Sequence, residues 1–440
     1  MGYPKYDSYK ETGIDWIGDI PSHWKQVKFK YIGNLMNGYA FNSNDYIDKE
    51  GIPIIRIGDI KKEIEWDKVK RVPSEYKEKL DNDFLVKNED ILLALTGATI
   101  GKSSIFNYEK TALLNQRVGV IRSNKSNSKF VYYYLNSNTF NKFINFTSYG
   151  GAQENIGKED INNLWIILPP LKEQKNIKNF LNKETSRIDK LIEKKEKLIE
   201  LLEEKRKAVI THYVTKGLDP DAPMKDSGIE WLGEIPEHWD VMRLKYNIKL
   251  NPSKKEANIN NDDRVTFLPM ENIHEDGTIN NEGKLFKEID NRFTYFREND
   301  VLLAKITPCF ENGKSTLAKD LYNSVGFGTT EIHVLRAREN IYNKFLYYII
   351  RSHPFLKIGE AQMTGSAGQK RISKSFINNY SQGIPPIEEQ KEIVKYLEEI
   401  LYRIKKLRSK IEKQISNLKE YRQALITNAV TGKIDVRNLV

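Results

Sequence analysis

A single cysteine, Cys309, among 440 residues excludes an internal disulfide framework and any zinc site built on a cysteine cluster, and it fits a reducing cytoplasm. No run of about twenty apolar residues is present, so the sequence offers no membrane-spanning helix. The opening MGYPKYDSYK lacks the pattern of a signal peptide, and Tyr6 stands where a myristoylation signal needs Ser or Thr.

Motifs that carry chemistry are missing too. TGATIGKSS (Thr96 to Ser104) has the outline of a phosphate loop, but only three residues separate Gly97 from Gly101 where the nucleotide-binding pattern needs four. Its second copy, PCFENGKS, keeps only Gly313-Lys314-Ser315. The Asp/Asn-Pro-Pro-aromatic tetrad of an adenine methyltransferase does not occur, because the Pro-Pro pairs are followed by Leu171 and Ile387. Acidic pairs followed by Lys, as a nuclease would use, fall mainly in heptad runs, where alternating charge explains them. His23 and His238 each lie between a Pro turn and a Trp with no second ligand nearby, which argues against a metal site. No nucleophile, metal cluster or cofactor cradle stands out, and no catalytic residue is assigned.

What is present is repetition. The charged run from about Leu171 to Thr215 returns between about Ile387 and Thr431. Pro169-Pro170 recurs as Pro385-Pro386, Gln174 as Gln390 and Ile210-Thr211 as Ile426-Thr427, each 216 positions on. The opening GIDWIGDIPSHWKQVKFKYIG, from Gly13, recurs as GIEWLGEIPEHWDVMRLKYNI from Gly228. Two kinds of segment repeated in one order make the whole chain a tandem duplication. Between them, GIPIIRIGDI, DILLALTGATIGKSSIF and VGVIRS read as strands with tight turns and KFVYYYLNS as a helix. The second half repeats them as TFLPMENI, DVLLAKITPCFENGKSTL, EIHVLRA and KFLYYIIRS. Other loops differ widely, as SNDYIDKEG does from SKKEANINNDD, so a common scaffold carries two different surfaces.

Each long run follows a heptad. The expected seam is Leu397, Ile400, Ile404, Leu407, Ile411, Gln414, Leu418, Tyr421 and Leu425 in the second copy. In the first it is Leu181, Glu184, Ile188, Leu191, Lys195, Leu198, Leu202, Lys205 and Val209. The prolines precede each helix and Gly217 and Gly432 follow it, as helix ends require. Two solvated helices, each lying on its own domain, are the alternative. The linker Val214 to Gly228 is rich in Pro, Gly and Asp. A helix of about 43 residues is roughly 65 Å long, whereas about 12 linker residues span at most about 40 Å. Antiparallel pairing of the two helices meets that limit. It predicts two variable modules at opposite ends of a rod, related by an approximate two-fold axis.

The size of the chain allows two to three domains. An excess of 70 Lys and Arg over 60 Asp and Glu, net +10 with pI about 9.1, favours a polyanionic partner. The shared loop before each helix, YGGAQENIGKEDI and TGSAGQKRISKSFI, is either an ordinary polar turn or a set of contacts to phosphates and base edges, since Gln suits adenine and Arg suits guanine.

The duplicated W-x-G-x-I-P-x-H-W openings, the duplicated L/I-P-P-L/I-x-E-Q-K helix starts and the TGATIGKSS turn resemble the DNA-specificity (S) subunits of Type I restriction-modification systems, over essentially the whole chain. The resemblance implies an α+β fold: two tandem α/β target-recognition domains separated by two long helices in an antiparallel coiled coil. The expected divisions are 1–168 and 229–384 for the target-recognition domains, 169–216 and 385–440 for the spacer helices and tail, and 217–228 for the linker. It further implies a non-catalytic subunit that reads a bipartite asymmetric site on double-stranded DNA. Its partners would be two modification (methyltransferase) subunits, which use S-adenosylmethionine and flip out the target adenine, and restriction or translocase subunits. Candidate DNA contacts are Lys102, Arg117, Gln153 and Lys158 in the first module and Lys314, Thr330, Gln369, Lys370 and Arg371 in the second. A coiled-coil protein-interaction scaffold without sequence-specific DNA binding is the competing reading. No cofactor is expected in the chain itself, and the location is expected to be cytoplasmic, away from membranes.

Overall fold

The structure of the chain is a computed structural model describing residues 2–61, 64–123, 125–148, 155–289, 292–366 and 368–439. Two compact units emerge, residues 1–196 with 413–440, and residues 197–412. Both boundaries fall inside the long helices Leu171–Lys216 and Ile387–Val430, so each unit contains part of each helix beside its sheets.

In the first unit, strands Gly33–Asn37, Val118–Ser123, Ile91–Ala94 and Ser103–Ile105 lie in that order in an antiparallel sheet. A second sheet runs Arg71–Val72, Ile52–Ile55, Ala112–Leu114 and Leu85–Val86, with its middle pair parallel. The second unit has the same topology. Ile248–Leu250, Ile332–Ala337, Val301–Ala304 and Ser315–Leu317 form the antiparallel sheet. Glu282–Leu285, Arg264–Leu268, Val325–Gly328 and Thr294–Arg297 form the other, again with a parallel pair at its centre. The strands Ile91–Ala94 and Val301–Ala304 are buried at every position, which is why ILLA and VLLA read as continuous apolar runs rather than alternating ones. The expected helix at KFVYYYLNS is Ser128–Leu135, capped by Asn127, whose side chain accepts from Phe130 N at 3.2 Å.

Each opening segment is clamped to the start of a long helix. Trp24 is wholly buried and its Nε1–H donates to Glu173 at 2.9 Å, while His23 Nε2 meets the same carboxylate at 2.7 Å. Trp239 and His238 repeat this on Glu389 at 3.0 and 2.7 Å. Burying an indole removes roughly 4–6 kcal/mol worth of apolar surface from water, and the carboxylate satisfies the N–H that would otherwise be stranded. The next residue works on the loop behind. Gln174 accepts from Asn127 N and donates to Pro169 O, and Gln390 accepts from Tyr342 N and donates to Pro385 O. The Glu-Gln pair after Pro-Pro is therefore a structural clamp, and the two histidines are its carboxylate partners.

Within each unit the helix segments run antiparallel. In the first, Asp189 meets Arg422 at 2.8 Å and Lys195 meets Gln414 at 2.6 Å, so the numbers rise on one helix as they fall on the other. In the second, Glu203 faces Arg408 and Tyr213 faces Tyr396. The seam differs from the expected one at alternate positions. Ile188, Leu202, Ile404, Ile411 and Leu425 are buried, and Leu418 and Val209 are half-buried. Leu191, Leu198 and Leu407 are 40 to 45% exposed; Ile192 and Ile199 take the places of the first two and Ile415 replaces Gln414, whereas beside Leu407 the neighbouring Arg408 is exposed as well. The apolar neighbours Leu191-Ile192 and Leu198-Ile199 allow a heptad to be drawn through either member. Packing selects the steps of four then three that bury Ile192 and Ile415.

Gly217 and Gly432 end the helices with φ of +75° and +71°, where a side chain is strained. A Cβ on Gly432 would also come within 2.3 Å of Pro21. Beyond Gly217, Met224–Asp226 pairs with Glu234–Pro236. Beyond Gly432, Asp435 N donates to Pro4 O.

Candidate nucleic-acid interface

The central strand Ile91–Ala94 ends at Leu95, and three separate segments attach there. Ala94 N donates to Lys102 O, Leu95 N to Arg117 O, and Ile156 N to Leu95 O, at 2.8 to 3.1 Å. Thr96 bridges to Asn155. The second unit makes the same knot at Lys305: Ala304 N donates to Lys314 O, Lys305 N to Glu331 O, and Ile372 N to Lys305 O, with Ile306 bridged to Arg371. Backbone pairing thus brings Lys102, Arg117 and the Lys158 segment to one strand end, and Lys314, Thr330, Gln369, Lys370 and Arg371 to its counterpart.

Lys102, Arg117, Lys158, Thr330, Gln369 and Lys370 are exposed. Lys158 opens the helix Lys158–Asn163, whose preceding Gly157 N–H is capped by Asp160 at 2.7 Å. Gln153 lies outside the described residues. Two candidates are already engaged. Half-buried Lys314 donates to Met270 O at 2.8 Å, so part of its hydrogen-bonding capacity is internal. Arg371 forms a two-point ion pair with Glu331, Nε to Oε2 at 2.9 Å and Nη2 to Oε1 at 3.0 Å.

Sequence reasoning missed three participants. Lys374 opens the helix Lys374–Asn379 as Lys158 opens its own, and the 216-residue shift of the long helices would have found it. Lys305 carries the strand-end backbone itself. Glu331 occupies the place of Arg117, an inversion of charge that no local pattern signals. The Arg371 hydrogen bonds hold the Glu331 carboxyl below the usual range, with Lys305 adding to the effect. His333, buried beside them, is pushed down to about 4 by burial. Its Nε2 lies 3.2 Å from Ile372 O, which can only accept, so Nε2 carries the proton and Nδ1 accepts from Asn251 Nδ2. Neutral His333 therefore fastens the Arg371–Ile372 segment to the sheet.

The arrangement is two cationic, largely exposed strand ends held on rigid backbone, with different side chains at equivalent places. Among the described residues, no cluster of His, Cys, Asp and Glu could hold a metal ion, and no helix is long and apolar enough to cross a membrane.

The Type I restriction modification DNA specificity domain matches residues 21–203 and again 236–417. The chain is 40% identical over 165 residues to the Type I restriction enzyme EcoAI specificity subunit of Escherichia coli, a stretch covering 37% of this chain and 28% of that relative. It is 29% identical over 461 residues to the putative type I restriction enzyme MjaX specificity subunit of Methanocaldococcus jannaschii, covering 99% of both. A chain solved in a study of complex assembly and conformational transition of the type I R-M system superposes with a TM-score of 0.69 at 16% identity, over 93% of this chain and 98% of that one, a likeness of fold. With its pattern matched in both halves, the chain belongs to the family of the Type I restriction modification DNA specificity domain.

Proposed function

We propose that the chain is the specificity subunit of a Type I restriction-modification complex and binds double-stranded DNA, each unit reading one half of a split, asymmetric target. The observation that carries this reading is the repeated strand-end knot, which presents Arg117 and Asn155 in one unit and Glu331 and Arg371 in the other. One backbone frame with different polar side chains is what two readers of different half-sites need, since base edges are read by side-chain donors and acceptors. The net charge of +10 supplies a sequence-independent, salt-sensitive attraction on which that reading is superposed.

In this proposal the chain performs no chemistry. Two modification subunits using S-adenosylmethionine methylate adenine, restriction or translocase subunits complete the assembly, and the complex works in the cytoplasm. The exposed Leu191 of the first unit and its equivalent Leu407 of the second, left outside the seam, offer the same apolar contact twice, as two copies of one partner require. The same leucines favour the second reading, a scaffold that holds proteins without reading DNA; binding without a steep salt dependence or sequence preference would support it instead.

The test is co-expression with the modification subunit and genome-wide mapping of methylated adenine. A split motif is expected. Exchanging residues 14–168 for another module should change one half of it only, and a change in both halves would refute the two-reader proposal.

A further inference from the structure

In the second unit a carboxylate stands among cations at the strand end: Glu331 pairs with Arg371, and its carbonyl accepts from the backbone of Lys305. Such a group repels a phosphate backbone, so its presence in a DNA-facing knot needs a reason. Glu331 spends both oxygens on Arg371, at 2.9 and 3.0 Å. Both residues are fixed by backbone pairing: Lys305 N donates to Glu331 O, Arg371 N to Thr364 O, and Thr307 N to Lys370 O. The pair is only partly covered, with side-chain exposures of 43% for Arg371 and 27% for Glu331.

A guanidinium has five N–H groups in a rigid fork. Nε and Nη2 each give one to Glu331, and Nη1 gives one to Gln369 O at 3.2 Å. Among the described residues that leaves two, one on Nη1 and one on Nη2, the pair whose spacing matches O6 and N7 of guanine in the major groove. A long side chain held on one edge by a carboxylate loses little further rotamer freedom when the other edge meets a base, which is the benefit of preorganisation.

We infer that Arg371 is the guanine-reading residue of the second unit and that Glu331 is the positioning residue that aims it. The first unit, with Arg117 and Asn155 at the equivalent places, has no carboxylate there, and its half-site is read by different chemistry. The inference rests on the DNA-reading proposal above and deepens it by naming the contact.

The test uses the full chain and a pool of randomised double-stranded oligonucleotides, from which bound sequences are selected and counted. Wild type should enrich a split motif with a guanine in the half read by the second unit. Arg371→Ala should lower the preference for guanine at that one position by about ten- to a hundredfold and leave the other half unchanged. Arg371→Lys should also relax it, because an ammonium keeps the charge and loses the fork. Glu331→Gln should weaken the same preference by about tenfold without moving any other position, and Glu331→Asp should restore part of it. No enriched sequence for wild type would overturn the DNA-reading proposal itself. An enriched motif whose base preferences survive Arg371→Ala would overturn the Arg371 assignment alone, and a preference lost at a base other than guanine would do the same. If Arg371→Ala abolished the whole half-site, Arg371→Lys decides: a half-site that returns with only the guanine relaxed supports the inference, and one that returns with guanine intact overturns it. Insensitivity to Glu331→Gln beside sensitivity to Arg371→Ala would overturn the positioning role.

Discussion

Replacing Asp300 with Ala should destabilise the second unit by about 3–5 kcal/mol, the range for removing one partner of a buried ion pair. Asp300 has a wholly buried residue surface and Arg336 is 8% exposed. The carboxylate accepts from Arg336 Nε at 2.8 Å and Nη2 at 2.7 Å, and from Arg297 N at 2.8 Å. Without it the guanidinium keeps Glu256 at 2.6 Å, and two of its N–H groups, together with a backbone N–H, lose their acceptor. The first unit supplies an internal comparison, because Asp90 binds Arg122 in the same way at 2.9 and 2.8 Å but the Arg122 side chain is 24% exposed. Water can reach Arg122 when Asp90 is removed, so Asp90→Ala should cost less, about 2 kcal/mol by the lower desolvation penalty. Hydrogen-exchange mass spectrometry on the full chain separates the two effects by location. Amides of Val301–Ala304 and Ile332–Ala337 should lose protection in Asp300→Ala, and those of Ile91–Ala94 and Val118–Ser123 to a smaller extent in Asp90→Ala. Equal losses, or a loss below about 1 kcal/mol for Asp300→Ala, would refute the claim that burial sets the cost.

The stability of the second unit should fall on acidification because of His333. Its folded pKa of about 4 lies below the ordinary 6.5, so the unfolded chain takes up the proton first. This contribution is complete above pH 6.5, is lost as the pH falls to about 4, and amounts to roughly 3 kcal/mol. Urea midpoints followed across that window should show the slope, and His333→Gln should flatten it; an unchanged slope would contradict the assignment. Along the helices, Ile192→Ala and Ile415→Ala should each cost about 2–4 kcal/mol, whereas Leu191→Ala and Leu407→Ala should stay within about 1 kcal/mol. Chemical denaturation of the four variants decides between the observed seam and the one the heptad predicts, and equal costs for Leu191 and Ile192 would reject the observed one.

The elements that sequence made legible are those whose signal is local or repeated. The apolar runs ILLA and VLLA, the Pro-Pro starts and the glycine ends need only neighbouring residues to be recognised, and the duplication marks them twice. The seam was half legible, because adjacent Leu and Ile satisfy a heptad equally until a partner helix chooses between them. At the interface the expected loops do meet, but what each side chain does there depends on residues far away in sequence. Lys314 is turned toward Met270 O, 44 positions earlier, and Arg371 toward Glu331, 40 positions earlier. Such pairings have no period and no motif, so composition could nominate Arg371 as a contact but could not supply the carboxylate that fixes its direction.

The duplication separates two kinds of constraint. Bonds that hold the frame recur with the same partners in both units: Glu173 and Glu389 on their Trp and His, Gln174 and Gln390 on their loops, Asp90 and Asp300 on their arginines. Thr427 and Thr211 likewise accept from Asn138 N and His353 N at the starts of equivalent helices. The carboxylates, glutamines, threonines, tryptophans and arginines among them are buried or half-buried, and changing one strands another, so a substitution there costs stability before it can alter function. At the strand ends the backbone bonds recur and Lys102 and Lys158 recur as Lys314 and Lys374, but other side chains do not: Arg117 stands where Glu331 does, and Asn155 where Arg371 does. These positions are held by main-chain pairing and project outward, so exchanging their side chains leaves the frame's hydrogen bonds intact and should shift stability by only about 0.5 kcal/mol at an exposed site such as Arg117. A scaffold arranged in this way can change what it reads by substitution at the knot without refolding. The exception is a coupled pair such as Glu331 and Arg371, which has to change together, because either member alone leaves a charge without its partner.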